Sequence, residues 1–195
     1  MSMLKSSVVL VSGLLLCGGA VVAAEGGLKS GPQEGVNLPG PFNPLNVTNA
    51  DLRDRAGTRN DYVEQYGSNP VVLIFAQEVS GPLVTLVKLL DREVARNKSE
   101  KLRLRAVVVV LSEDEATETK LKDLSRKEGV RNVSLAWMNP PGPKHYKLSP
   151  AADVTVVMYR QNKVVANHAF KKGELNEKAI EAVLRDVPRT IARRQ

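Results

Sequence analysis

The chain has 195 residues, a formal charge of +7 and one cysteine, Cys17. Hydrophobic residues make up 43% and aromatic residues only 4%, which allows one domain with a real core but no broad base-stacking surface. Basic and acidic residues alternate along most of the chain, as in Arg53-Asp-Arg55 and Asp91-Arg-Glu93; this marks a solvated surface, and no nucleic-acid partner is expected.

The N-terminus carries Lys5, an apolar stretch from Val8 to Leu16, and a small-residue exit ending at Ala24. That order predicts a secretory signal peptide over 1–24, cleaved after Ala24, and hence a secreted or periplasmic protein. The apolar stretch is interrupted by Ser12 and Gly13 and falls short of the roughly 20 residues a bilayer span needs. A retained signal-anchor is therefore the lesser reading, and no membrane span is expected after cleavage. Lipid attachment at Cys17 is disfavoured because Leu16 precedes it where a small residue belongs. The mature chain would contain no cysteine, so packing alone must stabilise it.

Residues 25–69 form a Gly/Pro-rich arm and a polar lead-in. Gly26 to Pro44 holds too many Gly and Pro residues for a helix or central strand. Residues 46–69 are ambiguous, with Tyr62 and Tyr66 expected to pin them to the body.

A domain is expected over 70–188. Val71-Val-Leu-Ile-Phe-Ala76 is a continuous β-branched apolar run, the pattern of a strand buried on both faces. A turn at Ser80-Gly81-Pro82 opens a helix whose apolar residues, Leu83, Leu86, Val87, Leu90 and Val94, recur at helical spacing. Leu104–Leu111 is a second buried strand. Ser112 and Glu115 are spaced as a capping box for a helix to about Lys127, and Gly129 stops it.

Val133–Trp137 is a third strand, followed by the Pro/Gly loop Met138–Lys144. Val154–Tyr159 and Lys163–Ala169 flank a short hairpin turn. A last helix is expected from about Asn176 to Arg185, then Pro188 and a basic tail over 189–195. This tail and Lys101–Arg105 are the one-signed segments, suited to an anionic envelope surface. Alternating buried strands and helices predict an α/β sandwich: a central mixed sheet flanked by helices, with an irregular N-terminal arm.

Over residues 70–187 the chain resembles the thioredoxin-like superfamily, particularly its exported branch of peroxiredoxin and disulfide-reductase type. Val72-Leu-Ile-Phe-Ala-Gln77 resembles the strand that delivers the redox motif. Ser80-Gly81-Pro82-Leu83 stands where that family has Cys-Gly-Pro-Cys, and Val154 stands at the position of its cis-proline. More narrowly, the whole chain is similar to exported thioredoxin-like proteins of planctomycete-type bacteria, some of which have a cysteine pair where this chain has Asp61-Tyr-Val-Glu64. The resemblance implies a redox scaffold whose thiols and cis-proline are gone.

Residue chemistry offers little in their place. A thiol reaction needs a thiolate. Ser80 as nucleophile needs a base beside it, and the chain has two histidines, His145 in the Pro/Gly loop and His168 on a strand. Neither lies in a metal-ligand pattern, and Glu113, Asp114 and Glu115 fit the first turn of a helix. No catalytic residue, metal or cofactor is expected. The expected activity is that of a redox-inactive binding module for a protein or cell-envelope partner. Its face would be formed by Ser80, Gly81, Pro82, Asp153 and Val154, with Trp137 as a possible groove residue. The alternative is an oxidoreductase-family protein with unconventional or auxiliary activity. No residue pattern specifies an oligomeric state.

Overall fold

The computed structural model describes residues 27–97 and 103–192. The expected signal peptide with Cys17, and the last three residues of the basic tail, lie outside the described residues.

Six strands form one mixed sheet in the order β1-β4-β3-β2-β5-β6. At its centre β2 (Val71–Ala76), β3 (Arg105–Leu111) and β4 (Ser134–Met138) run parallel. Every residue of β2 is buried, as a strand covered on both faces requires. α2 (Gly81–Arg96) links β2 to β3, and α3 (Ala116–Glu128) links β3 to β4. Both steps move the same way across the sheet, so right-handed crossovers place both helices on one face. α4 (Glu177–Ile191) joins them there. Leu86 and Leu90 of α2, Leu121 of α3 and Val183 and Val187 of α4 share one cluster with Ile74, Val108 and Val156 of the sheet.

Among the described residues the opposite face carries no long helix. Its sheet residues, among them Phe75, Val109 and Tyr159, are covered by Leu38 and Phe42 of the arm, by Tyr62 and Tyr66, and by Tyr146. Tyr146 sits in a single 3-10 turn within the Pro/Gly loop. The rings of Phe42, Phe75 and Tyr146 meet at 5.2–5.5 Å, within the usual range for aromatic pairs. Large rings thus fill the layer that a helix would otherwise supply.

Both sheet edges are antiparallel additions. β5 (Val154–Arg160) pairs with β2, and β6 (Lys163–Phe170) with β5. Gln161 and Asn162 between them both have positive φ, the backbone of a tight hairpin turn. The arm then pairs with the start of β6: the Val164 amide donates to the Val36 carbonyl and the Gly35 amide to the Val164 carbonyl, each at 3.0 Å. The segment expected to be ambiguous supplies the other edge, β1 (Leu45–Thr48), antiparallel to β4. Its outward groups at Asn46 are taken by Thr58 and Gly57.

The same segment holds α1 (Tyr62–Tyr66), capped by Asp61, whose carboxylate accepts the Val63 amide at 2.9 Å. Tyr62 and Tyr66 are both buried, so they pin the lead-in as expected. The Tyr62 hydroxyl donates to Asn46, and the Tyr66 hydroxyl lies 2.9 Å from Ser134 Oγ.

Two helix ends differ from the sequence expectation. Ser112 Oγ accepts the Asp114 amide, and Asp114 in turn accepts the Ala116 amide at 2.9 Å. The Ser112–Glu115 capping box therefore does not form, and α3 begins at Ala116. α4 continues through Pro188 to Ile191. Pro188 forfeits one helical hydrogen bond, but Val187 and Thr190 are buried and hold the turn in place. Arg160 also donates to the carbonyls of Ile191 and Ala192, a cation placed at the negative end of the helix.

Candidate functional site

The loop after β2 and the turn before β5 meet at the C-terminal edge of the parallel strands. Ser80 is in extended backbone and caps α2, its Oγ accepting the Leu83 amide at 3.4 Å. Pro82 falls in the first turn, where its missing amide costs nothing. Gly81 and Pro82 are exposed, whereas Leu83 is 1% exposed and belongs to the helix-side core. The four residues thus divide into a cap, an exposed corner and a core anchor.

Asp153 meets the start of the same loop, at Gln77, and none of residues 80–83 lines its cavity; Pro82 instead lines a groove with Leu175 and Ile180. The Gln77 amide donates to the Asp153 carbonyl at 2.9 Å, and the Asp153 amide donates to the Phe170 carbonyl at 2.8 Å. Val154 is buried and stands opposite Ala76 in the β2–β5 register, and the Asp153–Val154 peptide bond is trans. A shallow cavity of about 280 Å³ is lined by Gln77, Glu78, Ala152, Asp153 and Lys172. Burial pushes the Asp153 carboxyl up from its ordinary range; Glu78 adds to the effect and Lys172 opposes it. Lys172 Nζ is 3.3 Å from Glu78 Oε1.

Trp137 stands apart. Cross-strand register runs Trp137, Val110, Ala76, Val154, so it lies three strands away, about 14 Å at ordinary strand spacing. Its Nε1 donates to the Ser112 carbonyl at 2.7 Å, and its ring packs on the helix-side core. Trp137 closes the core's edge.

Neither histidine serves Ser80. His168 Nε2 lies 2.9 Å from Asp186 Oδ2, joining β6 to α4. Burial alone would raise Asp186, but hydrogen bonds from Arg189 and His168 outweigh it and hold the carboxyl low. His145 is exposed, with its ring against Tyr146. Among the described residues no group of three or more His, Cys, Asp and Glu side chains is placed to hold a metal. The Ser80 corner can offer hydrogen bonds and a proline surface, and the cavity at Gln77 and Asp153 can offer charge.

No family model matches the chain, and no curated protein matches it either. Solved structures do. A candidate thiol:disulfide interchange protein DsbE of Chlorobium tepidum is 15% identical and superposes with a TM-score of 0.58 over 85% of this chain and 99% of its own. A candidate protein disulfide isomerase of Bacteroides thetaiotaomicron is 14% identical, with a TM-score of 0.59 over 84% and 94%. A secreted disulfide oxidoreductase of Mycobacterium tuberculosis is 13% identical, with a TM-score of 0.55 over 76% and 95%. The chain has the thioredoxin-like fold.

At such identities the likeness is one of architecture. Within this thioredoxin-like domain, Gln77, Glu78 and Lys172 were not singled out from sequence, though each closely follows the end of a strand that the hydrophobic runs delimit. The His168–Asp186 pair joins positions 18 residues apart and has no local signature. No helix among the described residues is long and apolar enough to cross a membrane.

Proposed function

We propose that the mature chain is an exported, redox-inactive thioredoxin-like domain that works by binding a protein or cell-envelope component at the Ser80–Asp153 corner. The observation that carries this reading is the division of labour at residues 80–83. Where the resembling family has its cysteines, Ser80 caps α2 and Leu83 fills the core, while the corner between them stays exposed. The chain's sole cysteine, Cys17, falls in the expected signal peptide. Irregular loops at the carboxyl ends of parallel strands are the usual binding edge of open α/β sheets.

The test uses the protein beginning at Glu25. It should show no thiol-dependent insulin reduction and no peroxidase turnover. A partner cross-linked from envelope extract should be retained by the wild type and by Arg185→Ala, and lost with Pro82→Glu and Asp153→Lys. Cysteine-independent turnover would overturn the reading in favour of an oxidoreductase-family activity. Retention insensitive to Pro82 and Asp153 would overturn the placement of the face.

A further inference from the structure

A second cavity lies at the opposite end of the sheet from Ser80. It has a volume of about 320 Å³ and sits where the end of β1, the segment after it and the end of α3 converge. Its apolar lining includes Val47, Ala50, Val130 and Val133, and its charged lining is Arg53 and Arg131. Val47, Val130 and Val133 are buried members of the helix-side core, so the floor is fixed by packing.

The charges around the cavity are unevenly spent. Asp91, beside the Arg131 turn, accepts the amides of Arg131, Asn132 and Val133 at 2.6–3.1 Å and the Asn132 side chain at 2.8 Å, and Asp51, two residues before Arg53, is paired with Arg105 at 2.9 Å. Asp91 builds the turn that carries Arg131. Ser125 Oγ donates to the Val130 carbonyl, and Thr48 Oγ1 accepts the Leu135 amide. By contrast, no described carboxylate pairs with the guanidinium of Arg53 or of Arg131, although Arg105 and Arg189 have such partners. Two guanidinium groups with no carboxylate partner among the described residues, beside an aliphatic floor, call for an anion with a small apolar body. Arginine matches the planar two-oxygen geometry of a carboxylate. The volume is at the low end for ligand sites, enough for one or two residues.

We propose that this cavity binds a carboxylate borne on a small aliphatic group, in the form of a peptide C-terminus. The carboxylate would lie between Arg53 and Arg131, with the last side chain on Val47, Val130 and Val133. The site is independent of the Ser80 corner, and either can fail alone.

The probes are acetyl-Ala-Val with a free carboxylate, the same peptide as its amide, and inorganic phosphate. Each is titrated into the ¹⁵N-labelled protein beginning at Glu25. The free acid should shift the amides of Val47, Thr48, Val130 and Arg131 saturably. The amide should bind about tenfold more weakly, as should the free acid to Arg53→Gln or Arg131→Gln, since each loses a charge-assisted hydrogen bond. Arg185→Gln, on α4, should bind like the wild type. Both arginines are exposed, so the variants should keep the wild-type melting temperature. Equal binding of acid and amide, shifts centred elsewhere, indifference to both arginine changes, or phosphate binding as tightly as the peptide would each overturn the assignment.

Discussion

Ser30 Oγ lies 2.6 Å from Thr155 Oγ1, a buried contact between residues 125 positions apart. Ser30 Oγ also accepts the Ser149 amide at 2.9 Å. One arm residue thereby satisfies a hydroxyl of β5 and an amide of the loop that leads into it. Ser30→Ala leaves the buried Thr155 hydroxyl and the half-buried Ser149 amide without this partner and should cost about 1–3 kcal/mol, read as a lower denaturation midpoint with an unchanged m-value. Ser30→Thr, which keeps the hydroxyl, should recover part of the loss.

Residues 80–83 make a second prediction. Ser80→Ala removes the α2 cap and should cost about 1 kcal/mol, whereas Leu83→Ala empties a core position and should cost about 2–5 kcal/mol. Ser80→Cys places a thiol at a helix N-terminus, where thiolates are favoured. Its thiolate absorbance should titrate below the ordinary value of about 8.5. A thiol titrating at or above that value would show that this corner no longer favours an anion.

Two aspartates should give opposite pH signatures. Asp186 is held low, so its contribution is present above the unfolded-state value of about 3.9 and is lost as pH falls through its folded value. Asp186→Asn should therefore lower the melting temperature at pH 7, with the gap closing below about pH 4. Asp153 is held high, chiefly by burial; its charged form is penalised in the folded state, and stability is lost as pH rises through its folded value. Asp153→Asn should raise the melting temperature at pH 7 and change nothing below about pH 3. Shifts of the same sign in both variants would contradict this account.

All four tyrosines, Tyr62, Tyr66, Tyr146 and Tyr159, are buried, and burial pushes each hydroxyl above its ordinary value. The folded state therefore resists ionisation, and the stability gained from neutral phenols is lost as pH rises above about 10. Absorbance at 295 nm should stay flat past that pH and then rise in one step together with loss of secondary structure. A separate phenolate transition in the folded protein would mean that one of these rings reaches water.

What the sequence disclosed follows from how local each signal is. β2 and β3 are continuous β-branched runs, and α2 repeats leucine and valine at helical spacing, so each is written within one element. β1 has only four residues, Leu45-Asn-Val-Thr48, and its strand character comes from pairing with β4 about 90 positions later. α1 is five residues long, too short for periodicity, and tyrosine burial with polar side-chain bonds holds it. Pro188 looked like a stop because the Arg160 contacts with the last α4 carbonyls come from another strand. The Ser80 corner was legible through its turn chemistry. The cavity between Arg53 and Arg131 was not, because those residues are 78 positions apart and neither stands in a motif.

The pairing of the arm with β6 bears on how the sheet edge is kept from other strands. An exposed strand edge invites other strands to add to it, and sheet proteins guard such edges to stay soluble. Here the guard at Val164 precedes β6 in the chain by more than a hundred residues, so during synthesis it is already made when the edge emerges. A form trimmed beyond Leu38 would leave the Val164 edge groups unpaired and would also lose the buried Leu38 and the Ser30 hydroxyl, so self-association through the edge should accompany a lowered stability.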